Sequence, residues 1–367
     1  MSAAAGDTRG GVLIMAGGTG GHVFPGLAVA RRLRAAQVPV TWLGTREGLE
    51  ARVVPAANLG IEMEWITIRG VRGKGLRGWL LLPLRLARAM IQAYGVMRRR
   101  RPRAVLSLGG FVAGPGGLVA WLARAPLLIH EQNAIPGMTN RWLALFARQV
   151  LTGFPGTFGA ATRARHVGNP VRAEIAALPP PEERFAGRSG TLRLLVVGGS
   201  QGAAALNRVA PEAVRRLHAS GTAIEVWHQT GRDAAAAVAQ AYGALPARVV
   251  AFIDDMATAY AWADLVVCRS GAMTVAELAA AGVGAVLVPF PAAVDDHQTA
   301  NARFLVDRGA AVLLPQAELT AERLAELLQS LAANRDVLLR MAQAARAASM
   351  PDADQTVANL CLEAMHA

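Results

Sequence analysis

Two cysteines in 367 residues, Cys268 and Cys361, are too few for a disulfide framework or a cysteine-based metal site, and a reducing compartment is the simplest reading. Long uninterrupted apolar runs are also missing. The longest stretch of that kind, residues 79–97, is broken by Pro83, Arg85 and Arg88 and is not written to span a bilayer. Residues 1–11 carry no basic flank leading into an apolar segment, and the short run at 12–16 ends in glycines, so no signal peptide is read. Aromatics make up only 5% of the chain, whereas apolar residues make up 53% and recur with regular spacing, which argues against disorder and for close-packed α/β layers. A soluble or peripheral protein is expected.

Acidic residues are scarce in one half only. Residues 1–172 hold 23 basic against 6 acidic side chains, a balance of +17, while residues 173–367 hold 15 against 20, a balance of −5. Codon bias accounts for arginine replacing lysine, since Lys74 is the single lysine, but it does not account for an excess of positive charge confined to one half. That asymmetry points to an anionic partner for the first half.

The chain is too long for one ordinary core and reads as two domains. An apolar strand at 11–16 leads into Gly17-Gly18-Thr19-Gly20-Gly21-His22 and then a helical pattern, with Val23, Leu27, Ala30 and Leu33 on one face. Strands at 40–43, 103–108 and 127–130 follow, the last two running into Gly109-Gly110 and Glu131-Gln132-Asn133. After Pro179-Pro180-Pro181 the pattern restarts, with strands at 192–197, 224–228, 249–252, 265–268 and 285–289, an amphipathic helix at 319–348 and a last helix at 356–365. Strands alternating with helices imply parallel sheets built from right-handed βαβ units. The fold class is therefore α/β, two Rossmann-like doubly wound domains facing a cleft. The expected boundaries are 1–172, 173–345, and a helical segment at 346–367 packing back towards the first domain. Ligands of such sheets bind at the carboxyl ends of the strands, where the glycine turns lie.

The first glycine turn is not a dinucleotide fingerprint, because Val23 stands where the third glycine would be and the next strand ends Trp42-Leu43-Gly44 without an acid. It remains a turn at a helix N-terminus whose amides can approach an anion or a sugar, with His22 either functional or a capping and packing histidine. Gly198-Gly199-Ser200-Gln201-Gly202 and Arg269-Ser270-Gly271-Ala272-Met273-Thr274 open two further helices, where free amides and the helix dipole suit a phosphate and ordinary capping is the bland alternative. Glu277, a turn further on, is placed to accept two ribose hydroxyls. The polar run from Asp295 to Asn301 can bond sugar hydroxyls, and a metal reading of Asp295, Asp296 and His297 lacks a matching ligand set elsewhere. The basic and apolar segment from Arg69 to Arg103 fits an interfacial helix on anionic lipid, with Arg72, Lys74, Leu76, Trp79, Leu80, Arg85 and Arg88 as its membrane-associating residues. A core helix with a solvated arginine face is the alternative, and no nucleic-acid motif or stacking platform accompanies the charge.

In order and spacing these stretches, together with Arg72-Gly73-Lys74-Gly75, His130-Glu131-Gln132-Asn133, Gly168-Asn169-Pro170-Val171-Arg172 and Phe252-Ile253-Asp254-Asp255-Met256, resemble the MurG family of GT-B glycosyltransferases over almost the whole chain. The resemblance implies inverting transfer of N-acetylglucosamine from UDP-N-acetylglucosamine to the 4-hydroxyl of the muramoyl sugar of lipid I, giving lipid II and UDP in bacterial peptidoglycan synthesis. It implies that Thr19, Gly20, Gly21 and Asn133 meet the transferred sugar or the diphosphate, that Arg172 and Ser200 border the nucleotide, and that the backbone of Ile253 reads the uracil. It implies substrate contacts along Ala272, Met273, Thr274, Val275 and Ala276, a ribose contact from Glu277 and a sugar contact from Gln298. His22 is the expected general base, since an imidazole works near neutral pH. The stretch Pro291–Val294 departs from the polar loop of some relatives. Partners implied are the two substrates, an anionic cytoplasmic membrane surface and other wall-synthesis proteins, at the cytoplasmic face of the inner membrane. No nucleic acid, cofactor or metal is expected. A UDP-sugar epimerase, a transferase with a soluble acceptor, and a membrane-associated binding protein without chemistry are the rival readings.

Overall fold

The computed structural model describes residues 10–68, 82–199 and 203–366, except the side chain of Val294. Arg72, Lys74, Leu76, Trp79, Leu80 and Ser200 lie outside the described residues. The chain divides into two compact units, one running to Arg172 and taking up the chain again from Met350, the other spanning Ala173–Ser349.

Among the described residues the first unit holds a seven-stranded parallel sheet. Its strands are β1 (Val12–Ala16), β2 (Val40–Gly44), β3 (Glu62–Trp65), β4 (Ala104–Gly109), β5 (Leu127–Glu131), β6 (Gln149–Thr152) and β7 (Arg165–His166), in the order β3-β2-β1-β4-β5-β6-β7. Side chains alternate across a strand, and β1 shows why one short segment anchors two layers. Val12, Ile14 and Ala16 pack with the helix Gly20–Ala35 and the closing helix Ala353–Met365, while Leu13 and Met15 pack on the other face with Ala89, Ala93 and Val96 of the helix Leu82–Arg100. That last helix buries a narrow stripe of Ala89, Ala93, Val96 and Met97. Leu84 and Ile91, 70% and 72% exposed, and the exposed Arg85 and Arg88 lie outside the stripe. Pro83 sits in its first turn, where a missing N–H costs nothing.

Among its described residues the second unit repeats the plan with six parallel strands, β8 (Leu192–Val197), β9 (Ile224–Gln229), β10 (Ala247–Val250), β11 (Leu265–Cys268), β12 (Gly284–Leu287) and β13 (Ala311–Leu313), in the order β10-β9-β8-β11-β12-β13. In both sheets the strand order reverses beside the first strand, at β1–β4 and at β8–β11, and these are the switch points where doubly wound sheets bind ligands. Some expected bounds shift. The strand read at 249–252 sits at Ala247–Val250, because Val250 is the last residue to pair with β9, opposite Gln229. The helix read at 319–348 is two, Ala321–Ala332 and Arg335–Ala347, because Asn334 breaks it and caps the second through bonds from the N–H groups of Asp336 and Val337. β3, β6, β7 and β13 have too few or too mixed apolar residues to stand out before their neighbours are known.

Candidate active site

In the first unit the loops at the carboxyl ends of β1, β4 and β5 bring the sequence-predicted residues together. β1 ends where the Trp42 indole donates to the Ala16 carbonyl at 2.9 Å. Gly18 then turns the chain at φ +90°, and Thr19 opens the helix Gly20–Ala35, its carbonyl accepting from the N–H groups of His22 and Val23. The first turn of this helix contains no acid, so the positive end of its dipole is left for an anion.

His22 is partly buried, with Nδ1 3.3 Å from the Thr19 hydroxyl. Its ring lies against Gly109, where an added Cβ would sit 3.0 Å from Cδ2 and Nε2. Gly109 has φ +103°, so two separate reasons exclude a side chain there. Burial holds the imidazole pKa below its ordinary value. The Glu131 carboxylate, a hydrogen bond to the backbone of Gly17 and the Glu50 carboxylate act in the opposite direction.

Asn133 and Glu131 form one knot after β5. Glu131 Oε1 accepts from the Asn133 N–H at 2.9 Å and from its carboxamide at 3.3 Å, and Oε2 accepts from the Gly137 N–H at 3.0 Å and Asn140 Nδ2 at 2.8 Å. His130 is fully buried, its Nε2 bonded to the Gly168 carbonyl at 2.9 Å, and burial lowers its pKa to about 4. The Asn169 carboxamide donates to the Gln132 carbonyl at 3.0 Å, tying the loop before Arg172 to the loop after β5.

In the second unit the helix Ala272–Ala281 starts at Gly271, with no side-chain cap and no acid in its first turn. The amides of Ala272, Met273 and Thr274 lie in that turn. The Val275 N–H is bonded to the Gly271 carbonyl at 3.0 Å and its side chain is buried, so Val275 serves the packing of the turn; Ala276 is partly exposed. The buried Asn301 donates to the Ser270 carbonyl at 3.2 Å and braces the same turn. Glu277 accepts from the Tyr260 hydroxyl at 3.2 Å, which aims its carboxylate. The Ile253 N–H donates to Gln229 Oε1 at the end of β9, at 3.3 Å. Gln298 Oε1 accepts from the Phe290 N–H at 2.9 Å, which leaves its Nε2 to donate. Asp295 and Asp296 are both left-handed, at φ +51°, and Asp296 accepts from the Thr299 hydroxyl, so the polar run begins as a tight turn and passes into the helix His297–Val306. Among the described residues no cluster of His, Cys, Asp and Glu is placed to hold a metal ion.

Glu50 and Tyr260 were not singled out in the sequence. Glu50 carried one signal, being one of only six acids in the first 172 residues, flanked by Gly44 and Gly48.

The family model described as the glycosyltransferase family 28 N-terminal domain matches residues 12–152, and the corresponding C-terminal domain model matches residues 193–357. The chain is 59% identical over 354 residues to the UDP-N-acetylglucosamine–N-acetylmuramyl-(pentapeptide) pyrophosphoryl-undecaprenol N-acetylglucosamine transferase of Alkalilimnicola ehrlichii, covering 96% of this chain and 98% of that one. The transferase of the same description from Nitrosococcus oceani is 56% identical with the same coverage. The crystal structure of Acinetobacter baumannii MurG superposes with a TM-score of 0.84 at 42% identity, over 97% of this chain and all of that one. A calicheamicin glycosyltransferase, at 18% identity and a TM-score of 0.67 over 98% of this chain and 99% of its own, shares the fold.

Proposed function

The chain belongs to glycosyltransferase family 28, and from that premise we propose a division of labour for the transfer it performs. The enzyme moves N-acetylglucosamine from UDP-N-acetylglucosamine to the muramoyl sugar of lipid I, giving lipid II and UDP. Its two doubly wound units are those of a GT-B glycosyltransferase.

In the proposed mechanism the transfer inverts the anomeric carbon. The acceptor's 4-hydroxyl gives its proton to His22 as the oxygen bonds to C1 of the donor sugar, and the C1–O bond to the diphosphate breaks on the opposite face. The observation that carries this assignment is the position of His22, a partly buried imidazole in the first turn of a helix at the switch point of the first sheet. Thr19, Gly20, Gly21 and Asn133 meet the diphosphate or the transferred sugar there. In the second unit the first turn of the helix Ala272–Ala281 receives the charge growing on UDP, which a fixed dipole stabilises without reorganisation. Glu277 holds the ribose, Ile253 the uracil and Gln298 the sugar, with Arg172 and Ser200 bordering the nucleotide.

Among the described residues no helix is long and apolar enough to cross a membrane. Peripheral attachment at the cytoplasmic face is the reading supported by the +17 balance of residues 1–172 and by Arg85 and Arg88 beside the exposed Leu84 and Ile91.

The deciding experiment is UDP release with a lipid I analogue and the His22→Ala variant. UDP is expected only when the acceptor is present, and the variant should lose about 10²–10⁴-fold in turnover while still binding UDP-N-acetylglucosamine. Near-normal turnover removes His22 from the base role.

A further inference from the structure

Glu50 is fully buried and sits in a cradle of three glycines. An added Cβ at Gly17 would lie 2.7 Å from Oε1, one at Gly44 2.6 Å from Cγ, and one at Gly48 closer still to both carboxylate oxygens. Side chains at these positions would fill the space that the carboxylate occupies. Oε1 accepts from the Thr45 N–H and from its hydroxyl, both at 2.8 Å, and Oε2 accepts from the Gly18 N–H at 3.0 Å. The carboxylate therefore grips the turn at Gly17–Thr19 from one side. On the other side of that turn the His22 ring lies within reach of the Thr19 hydroxyl.

We propose that Glu50 is a positioning residue for the transfer step: its buried carboxylate fixes the turn that leads into His22 and sets a negative charge against that turn. The proposal rests on the reading of His22 as base. An ionised carboxylate costs several kcal/mol to bury, and three donors hold this one, so the fold keeps a charge where a glutamine of the same shape would supply the bulk. The two carboxylates that act on His22 are Glu131 from the end of β5 and Glu50 from the helix Glu50–Ala56. Of the two, Glu50 is the one bonded to the turn itself. Both favour the imidazolium that forms when the acceptor proton arrives.

The test pairs Glu50→Gln with Glu50→Asp, reading the pH profile of turnover with a lipid I analogue and, separately, the His22 imidazole titration by NMR in histidine-labelled enzyme. Removing a negative charge lowers the imidazole pKa, so in Glu50→Gln the low-pH limb and the NMR titration should both move down by about half a unit or more. Glu50→Asp keeps the charge but draws the carboxylate back by one methylene, so turnover should fall about tenfold with the limb in place. An imidazole that titrates as in the wild type in Glu50→Gln overturns the electrostatic role. Wild-type turnover in Glu50→Asp, which is measurable even if Glu50→Gln does not fold, overturns the positioning role. A shifted imidazole with an unshifted activity limb leaves Glu50 acting on His22 and removes His22 as the base, so the two readings fail separately.

Discussion

Arg32 and Asp354, 322 positions apart in the chain, are joined by a 2.7 Å hydrogen bond from Nε to Oδ2. The pair ties the first helix of the first unit, Gly20–Ala35, to its last, Ala353–Met365, beside the apolar seam of Val357, Ala358 and Cys361. Asp354 is nearly buried while Arg32 is partly open to solvent. Asp354→Asn keeps the shape and removes the charge-assisted bond, and should lower unfolding stability by about 1–2 kcal/mol. Urea unfolding followed at neutral pH checks it. A midpoint unchanged from the wild type would mean that the apolar seam alone holds the closing helix.

Acid should weaken the fold through two buried histidines. His130 in the first unit and His228 in the second are both held at about 4 by burial, against an ordinary value of 6.5. Both stay neutral in the folded chain while the unfolded chain takes up protons below 6.5. Stability is therefore complete above pH 6.5, falls as the pH drops towards 4, and levels off below, each group accounting for up to about 3 kcal/mol. His228 bonds Tyr242 and Asn207, so His228→Gln preserves part of that network while removing the titration. Its stability should change less between pH 7 and pH 4.5 than that of the wild type.

Gly109→Ala separates catalysis from folding. An alanine must adopt φ +103° and press its methyl on the His22 ring. The backbone strain costs on the order of 1–3 kcal/mol of stability, and displacement of the ring should lower turnover more than tenfold. Turnover at the wild-type level in soluble, folded Gly109→Ala would show that the ring tolerates the shift.

Attachment to anionic lipid is readable by vesicle sedimentation. Reversing Arg85 and Arg88 to glutamate should reduce binding to vesicles containing phosphatidylglycerol by at least tenfold, given about 1 kcal/mol per basic residue near such a surface. Turnover of a detergent-soluble acceptor should persist. Equal binding by the wild type and the double variant would move the membrane contact elsewhere on the unit.

Much of the architecture was legible locally. β1 is an unbroken apolar run and β8 is interrupted only by Arg193, each is followed by glycines, and glycine after a buried strand marks a backbone turn whatever surrounds it. The phosphate-type helix start at Gly271 was readable for the same reason, since a helix N-terminus carries its own dipole and free amides. Edge strands such as β3 and β13 were not readable, because short mixed segments acquire strand character from the neighbour they pair with.

The sequence by itself determined two doubly wound units, the glycine turns, the charge asymmetry and His22, all of which depend on periodicity or on residues adjacent in the chain. Tertiary structure decided what surrounds His22. Glu50, Gly109 and Glu131 come from three separate segments, and only the parallel order β2-β1-β4-β5 sets the strand ends near them side by side. It also decided that the closing helix, expected to pack towards the first domain, is covered by the helix Gly20–Ala35, because an apolar helical stripe specifies that it will be covered and leaves open which element covers it.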